Sequence, residues 1–96
     1  MTQETPIARF PLGQTVVTAG VHELLLAGKF DPLDLLRRHQ AGDWGEICPD
    51  DRQVNEDALL YGNRILSAYS LADGTKLWII TEADRSVTTI LLPEEY

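Results

Sequence analysis

The chain has 96 residues, 44% of them hydrophobic and 24% charged, with a formal net charge of −7. That length holds one core and no second domain, and the composition is too apolar for intrinsic disorder. The acidic balance excludes a broad basic face able to neutralise phosphates, so direct nucleic-acid binding is not expected.

Residues 1–8 read as a loose leader ahead of a single α+β domain over 9–96. The leader lacks the basic and apolar regions of an export signal, and no aliphatic run approaches a membrane span. A cytoplasmic protein with no membrane contact is expected. Phe10-Pro11-Leu12-Gly13 reads as a turn. Gln14 to Val17 leans to β-structure, because Val16 and Val17 are β-branched. Thr18 then stands as an N-cap, and Val21, Leu24 and Leu25 form an i, i+3, i+4 stripe. A first helix is predicted near 19–27, stopped by Gly28.

Asp31-Pro32 starts a second helix over about 32–40. The Asp side chain caps, and Pro at the first helical position gives up no hydrogen bond. Leu33, Leu36 and Gln40 are placed on one side, with Leu35 and His39 beside them. Arg37, Arg38 and His39 fall in the last turn, where positive charge suits the helix dipole. Trp44, in the turn Gly42-Asp43-Trp44-Gly45, is expected to fold back onto the core. Cys48 is the only cysteine, so no intrachain disulfide forms. It reads as a small half-buried residue. Pro49-Asp50-Asp51 opens a third helix, with Asp50 and Gln53 imitating a capping box. Val54, Ala58 and Tyr61 share one face, with Leu59 and Leu60 nearby, and Gly62 or Asn63 supplies the stop.

The remainder reads as a three-stranded antiparallel meander on which the helices pack. The first strand runs from Arg64 to Leu71, with Ile65, Ser67, Tyr69 and Leu71 on one face. Asp73-Gly74 is the strongest hairpin signal in the chain. Lys76 to Thr81 is apolar on both faces and is assigned the centre. Val87 to Leu92 is the third strand, ended by Pro93.

No phosphate-binding glycine loop, zinc-ligand spacing or nucleophile elbow is present, and no metal or cofactor is expected. Two polar clusters remain. Residues 46–63 hold five carboxylates (Glu46, Asp50, Asp51, Glu56, Asp57) against Arg52 alone. The turn 82–86 gathers Glu82, Asp84, Arg85 and Ser86. Antiparallel order brings Arg64 to the same sheet end. As a binding surface, the candidate residues are Glu82, Asp84, Arg85, Ser86, Asp50, Asp51, Glu56 and Asp57, facing a protein partner of basic character. As an enzyme, the candidates are Glu82 or His39 as base and Arg64 or Arg85 as phosphate clamp. A small core of this size is also compatible with a homodimer.

The run Trp78 to Tyr96, together with Gly42-Asp43-Trp44-Gly45 and Leu66-Ser67-Ala68-Tyr69, resembles a family of small proteins of bacterial plasmids and other mobile elements. Its members are often labelled type I restriction-modification methyltransferase subunits. The resemblance implies an accessory or interfering role toward host nucleic-acid-processing proteins. It does not imply methyl transfer by this chain, which has no Asn-Pro-Pro-Tyr-type motif. Helices followed by an antiparallel meander also resemble the barnase-like ribonucleases and toxins, at the level of architecture alone.

Overall fold

The computed structural model describes residues 8–96. Of the leader expected over 1–8, all but the exposed Ala8 lies outside the described residues. The elements are β1 (Gln14–Val17), α1 (Ala19–Leu26), α2 (Pro32–Ala41), α3 (Pro49–Tyr61), β2 (Ile65–Ser70), β3 (Lys76–Thr81) and β4 (Val87–Leu91). A 3₁₀ turn, Pro93–Glu95, follows. The class is α+β, as expected, but the sheet has four strands in the order β1-β4-β3-β2. The expected meander β2-β3-β4 is antiparallel, and β1 joins it parallel to β4, Gln14 opposite Val87 and Val17 opposite Ile90. The expected short N-terminal β-segment is therefore a full member of the sheet. Its partner lies at the far end of the sequence, where no local pattern announces it.

Each helix boundary has a chemical cause. Asp31 accepts a hydrogen bond from the Leu33 amide (3.0 Å), and Gly42 closes α2 with a left-handed φ of 90°. At α1 the cap is delivered from elsewhere. The Thr18 hydroxyl donates to Glu95 Oε1, while Glu95 Oε2 takes the Gly20 amide (2.9 Å). A carboxylate thus meets the positive end of the α1 dipole. At α3 the expected capping box does not form. The N-cap residue, Cys48, makes no side-chain cap and is exposed rather than half-buried. Gln53 turns instead to Asp57 Oδ1 (3.0 Å).

Burial divides the apolar faces expected on two helices. In α2, Leu35, Leu36 and His39 are buried and Leu33 is exposed. In α3, Asn55 and Ala58 are buried, while Val54 and Tyr61 are exposed. The cause at α3 is Asn55. Its side chain donates to the Leu66 carbonyl (2.7 Å) and accepts from the Leu66 amide (3.1 Å). That pair satisfies one residue of the outer edge of β2. Residues 44–46 satisfy the next, with Glu46 N donating to the Ala68 carbonyl and Ala68 N donating to the Trp44 carbonyl. Gly45 lies against the Ala68 carbonyl at a φ of 74°, where a Cβ would collide. The edge of β2 is therefore sealed against pairing with another chain.

The helices cover one face of the sheet. Val21 of α1 and Leu35 and Leu36 of α2 pack on Tyr69, Leu77, Ile79 and Ile90. A second cluster of Phe10, Trp44, Ala58 and Ile65 fills the space beneath α3. Trp44 folds inward as expected. Phe10, expected in a turn, is buried as well. The opposite sheet face carries Leu66, Ala68, Trp78, Ile80, Thr89 and Leu91, since side chains alternate along each strand. The 3₁₀ turn and Tyr96 cover only part of it. The Tyr96 ring meets Trp78 edge-on at 5.8 Å.

Candidate functional site

The turn between β3 and β4 organises itself. The Asp84 carboxylate accepts from the Ser86 amide (3.0 Å) and hydroxyl (2.6 Å), and these bonds hold its carboxyl below the usual range. Arg85 sits at a φ of 62°, a costly conformation for a residue with a Cβ. Its guanidinium explains the position. Nη1 donates to the Asn63 carbonyl (2.7 Å) and to the turn carbonyls of Glu82 (3.1 Å) and Ala83 (3.2 Å). Nη2 donates to the Ala58 carbonyl (3.0 Å), near the negative end of α3. The cation also lies 5.7 Å from the Phe10 ring centroid. Arg85 thus locks the turn to α3, and its donors are directed inward at main-chain carbonyls.

His39 is fully buried at the seam of the two apolar clusters, edge-on to Phe10 (5.2 Å) and Trp44 (6.0 Å). Its hydrogen bonds admit one arrangement of protons. Thr88 Oγ1 contacts the Leu12 carbonyl (2.7 Å), which only accepts, so Thr88 is the donor there. The Thr81 hydroxyl, 2.8 Å away, must then donate to Thr88. Thr81 in turn accepts from His39 Nε2 (2.9 Å). His39 Nδ1, left bare in the neutral ring, accepts from the Ser67 hydroxyl. Burial, and then the positive charge of Arg85, push its pKa down to about 3. The imidazole is neutral, enclosed and fully used.

The four acid, base and clamp candidates accordingly do not converge. His39 lies on the helix-covered face. Arg85 points toward α3. Arg64 and Glu82 do come together: Arg64 precedes β2 and Glu82 follows β3, each next to the terminal Ile65–Thr81 pair of the ladder. There they line a pocket of about 250 Å³, completed by Thr18, Ile80, Thr89, Leu91, Glu95 and Tyr96. Ile80 and Leu91 are buried and form its floor. Arg64 Nη2 donates to the Tyr96 hydroxyl (2.7 Å), and the guanidinium lies 5.5 Å from that ring. Sequence reasoning did not find Thr18, Thr89, Glu95 or Tyr96. Thr89 was legible from strand parity. Thr18 arrives with β1, its amide bonded to the Ile90 carbonyl, and Glu95 and Tyr96 arrive through the 3₁₀ turn that folds back over the sheet.

The acidic candidates also divide. Glu56 is structural: it takes both terminal nitrogens of Arg9 (3.0 and 2.8 Å) and the Trp44 indole N–H (3.1 Å). The Arg9 bonds chiefly hold its carboxyl below the ordinary range. Glu46 accepts from Lys76 and Ser70. Asp50, Asp51 and Asp57 are exposed and have no basic partner among the described residues. Asp50, Val54, Asp57 and Tyr61 follow at i, i+4, i+7 and i+11, which places them on one outward stripe of α3. Leu60 flanks it. Val54, Leu60 and Tyr61 are 57%, 77% and 75% exposed.

Comparison with protein-family models, with curated proteins and with solved structures finds no match to this chain. No described helix is long and apolar enough to cross a membrane, and no group of three potential metal ligands converges among the described residues.

Proposed function

We propose that this protein is a small non-enzymatic binding module that docks on a partner protein through the outward face of α3. The observation that carries this reading is the stripe Asp50-Val54-Asp57-Tyr61 with Leu60 beside it. Three large apolar side chains lie open to water, interleaved with carboxylates that form no ion pair among the described residues. An exposed apolar strip with an acidic rim fits a partner segment with apolar anchors and Lys or Arg around them. Basic surfaces of that kind are a property of nucleic-acid-processing proteins. The resemblance to small proteins of mobile elements favours the same partner class, in host restriction and defence. The alternative, a barnase-like ribonuclease or toxin, draws less support, because His39 is neutral and enclosed and Arg85 is spent on carbonyls.

Affinity capture from a bacterial host separates the readings. The wild-type protein is expected to retain a basic nucleic-acid-processing protein, and Leu60→Glu with Tyr61→Glu to lose it. Leu26→Glu, an equally exposed change on α1, serves as the control that keeps it. Capture that survives the α3 changes would sink the proposal. Growth arrest and RNA cleavage on expression, abolished by Glu82→Gln, would establish the ribonuclease instead.

A further inference from the structure

The pocket on the open sheet face has a charge arrangement that α3 binding does not use. Arg64 and Glu82, of opposite sign, flank the terminal Ile65–Thr81 pair of the β2–β3 ladder and line the same pocket. No ion pair closes between them. Arg64 turns to the ring and hydroxyl of Tyr96, and Glu82 makes no side-chain bond among the described residues. Glu95, the other carboxylate in the wall, is already filled by Thr18, the Gly20 amide and the Leu92 amide (3.2 Å). The pocket thus offers one available cation, one available anion, a hydroxyl at Thr89, and a floor of Ile80 and Leu91.

We infer that this pocket binds a free α-amino acid with an apolar side chain. The ligand's carboxylate meets the Arg64 donors that Tyr96 leaves unused, since a guanidinium carries five N–H groups. Its ammonium meets Glu82. Both charges stand on one carbon, which matches two oppositely charged side chains lining one small pocket. The side chain then lies on Ile80 and Leu91, beneath the edge of Tyr96. A ligand with a single charge leaves Arg64 or Glu82 unmatched. The volume of about 250 Å³ lies at the small end of ligand sites, which suits one residue-sized molecule and not a nucleotide.

The test is calorimetric titration and thermal unfolding of the intact protein with L-leucine and L-phenylalanine. N-acetyl-leucine and leucinamide serve as analogues that each lack one charge. One of the free amino acids is expected to bind. At ten times its Kd it should raise the unfolding midpoint by about 7 °C. Each analogue should bind at least tenfold more weakly. Arg64→Gln and Glu82→Gln, both at exposed positions, should each abolish the shift. The α3 changes should leave it intact, so this result and the partner-capture result stand or fall separately. No shift with either amino acid at 10 mM overturns the inference. So does equal binding by N-acetyl-leucine, which would mark a site for a peptide C-terminus. The comparison of ligands on the wild-type protein decides the matter even if a variant fails to fold.

Discussion

His39 and Arg85 are both polar residues drawn inward, and each is held by groups distant in sequence. The cost of enclosing the imidazole is met by hydroxyls from three strands, Ser67, Thr81 and Thr88, with the Leu12 carbonyl as terminus. It still makes the ring hard to protonate. The folded pKa of about 3 compares with about 6.5 in an unfolded chain. Between those values the unfolded state binds a proton that the native state refuses. Stability is therefore greatest above pH 6.5 and falls by about 1.4 kcal/mol per pH unit below it. Urea unfolding at pH 7 and pH 5 should show the midpoint dropping. In His39→Gln, although less stable at pH 7, the drop should be smaller. The paired carboxylates Asp43 and Glu56 have their own values lowered, so their contribution is lost only at more acidic pH. Equal drops in both proteins would assign the acid response elsewhere. His39 was legible as a residue of the last turn of α2, but not as a buried one. The signal lay in Ser67, Thr81 and Thr88, hydroxyls on otherwise apolar strand faces with no other polar neighbour to satisfy them.

Among the elements, the three C-terminal strands and the helix limits were legible because their causes are local. The hairpin at Asp73-Gly74 closes with Gly74 at a φ of 89°, and Pro32, Gly42 and Gly62 mark boundaries within a residue or two. What escaped was orientation. Val54, Ala58 and Tyr61 make a fair apolar stripe on paper, yet α3 turns Asn55 inward and leaves Val54 and Tyr61 in water. Periodicity counts hydrophobic area and is blind to an unsatisfied strand edge. The two hydrogen bonds exchanged between Asn55 and Leu66 outweigh the exposure of two apolar side chains, because a buried edge amide and carbonyl without partners are each costly. Asn55→Leu keeps the branched shape of the side chain, with two methyl groups in place of the amide, and removes both bonds. It should destabilise the protein by about 2–4 kcal/mol in chemical denaturation. It should also raise aggregation, since the edge of β2 is then open. A variant as stable as wild type would mean that packing alone sets the rotation of α3. The same rotation creates the candidate binding stripe, so the exposed surface and the inward Asn55 have one cause.

For the whole molecule, the two apolar clusters are joined by Leu12, which packs against both, and by the His39 hydrogen-bond chain between them. They should unfold together. Phe10→Ala, in the smaller cluster, is expected to cost about 3–5 kcal/mol. It should shift far-UV circular dichroism and tryptophan fluorescence to the same lower midpoint. Separate midpoints would show that α3 and its cluster form an independent unit. The pairing of β1 with β4 has a different consequence, one of timing. Of the four strands, β1 leaves the ribosome first, and it adds to the sheet only beside β4, which leaves last. The helices and the β2–β3 hairpin are free to form while β1 waits. The first strand made waits for the last one, and until Val87 to Leu91 emerge its valines have no sheet to join.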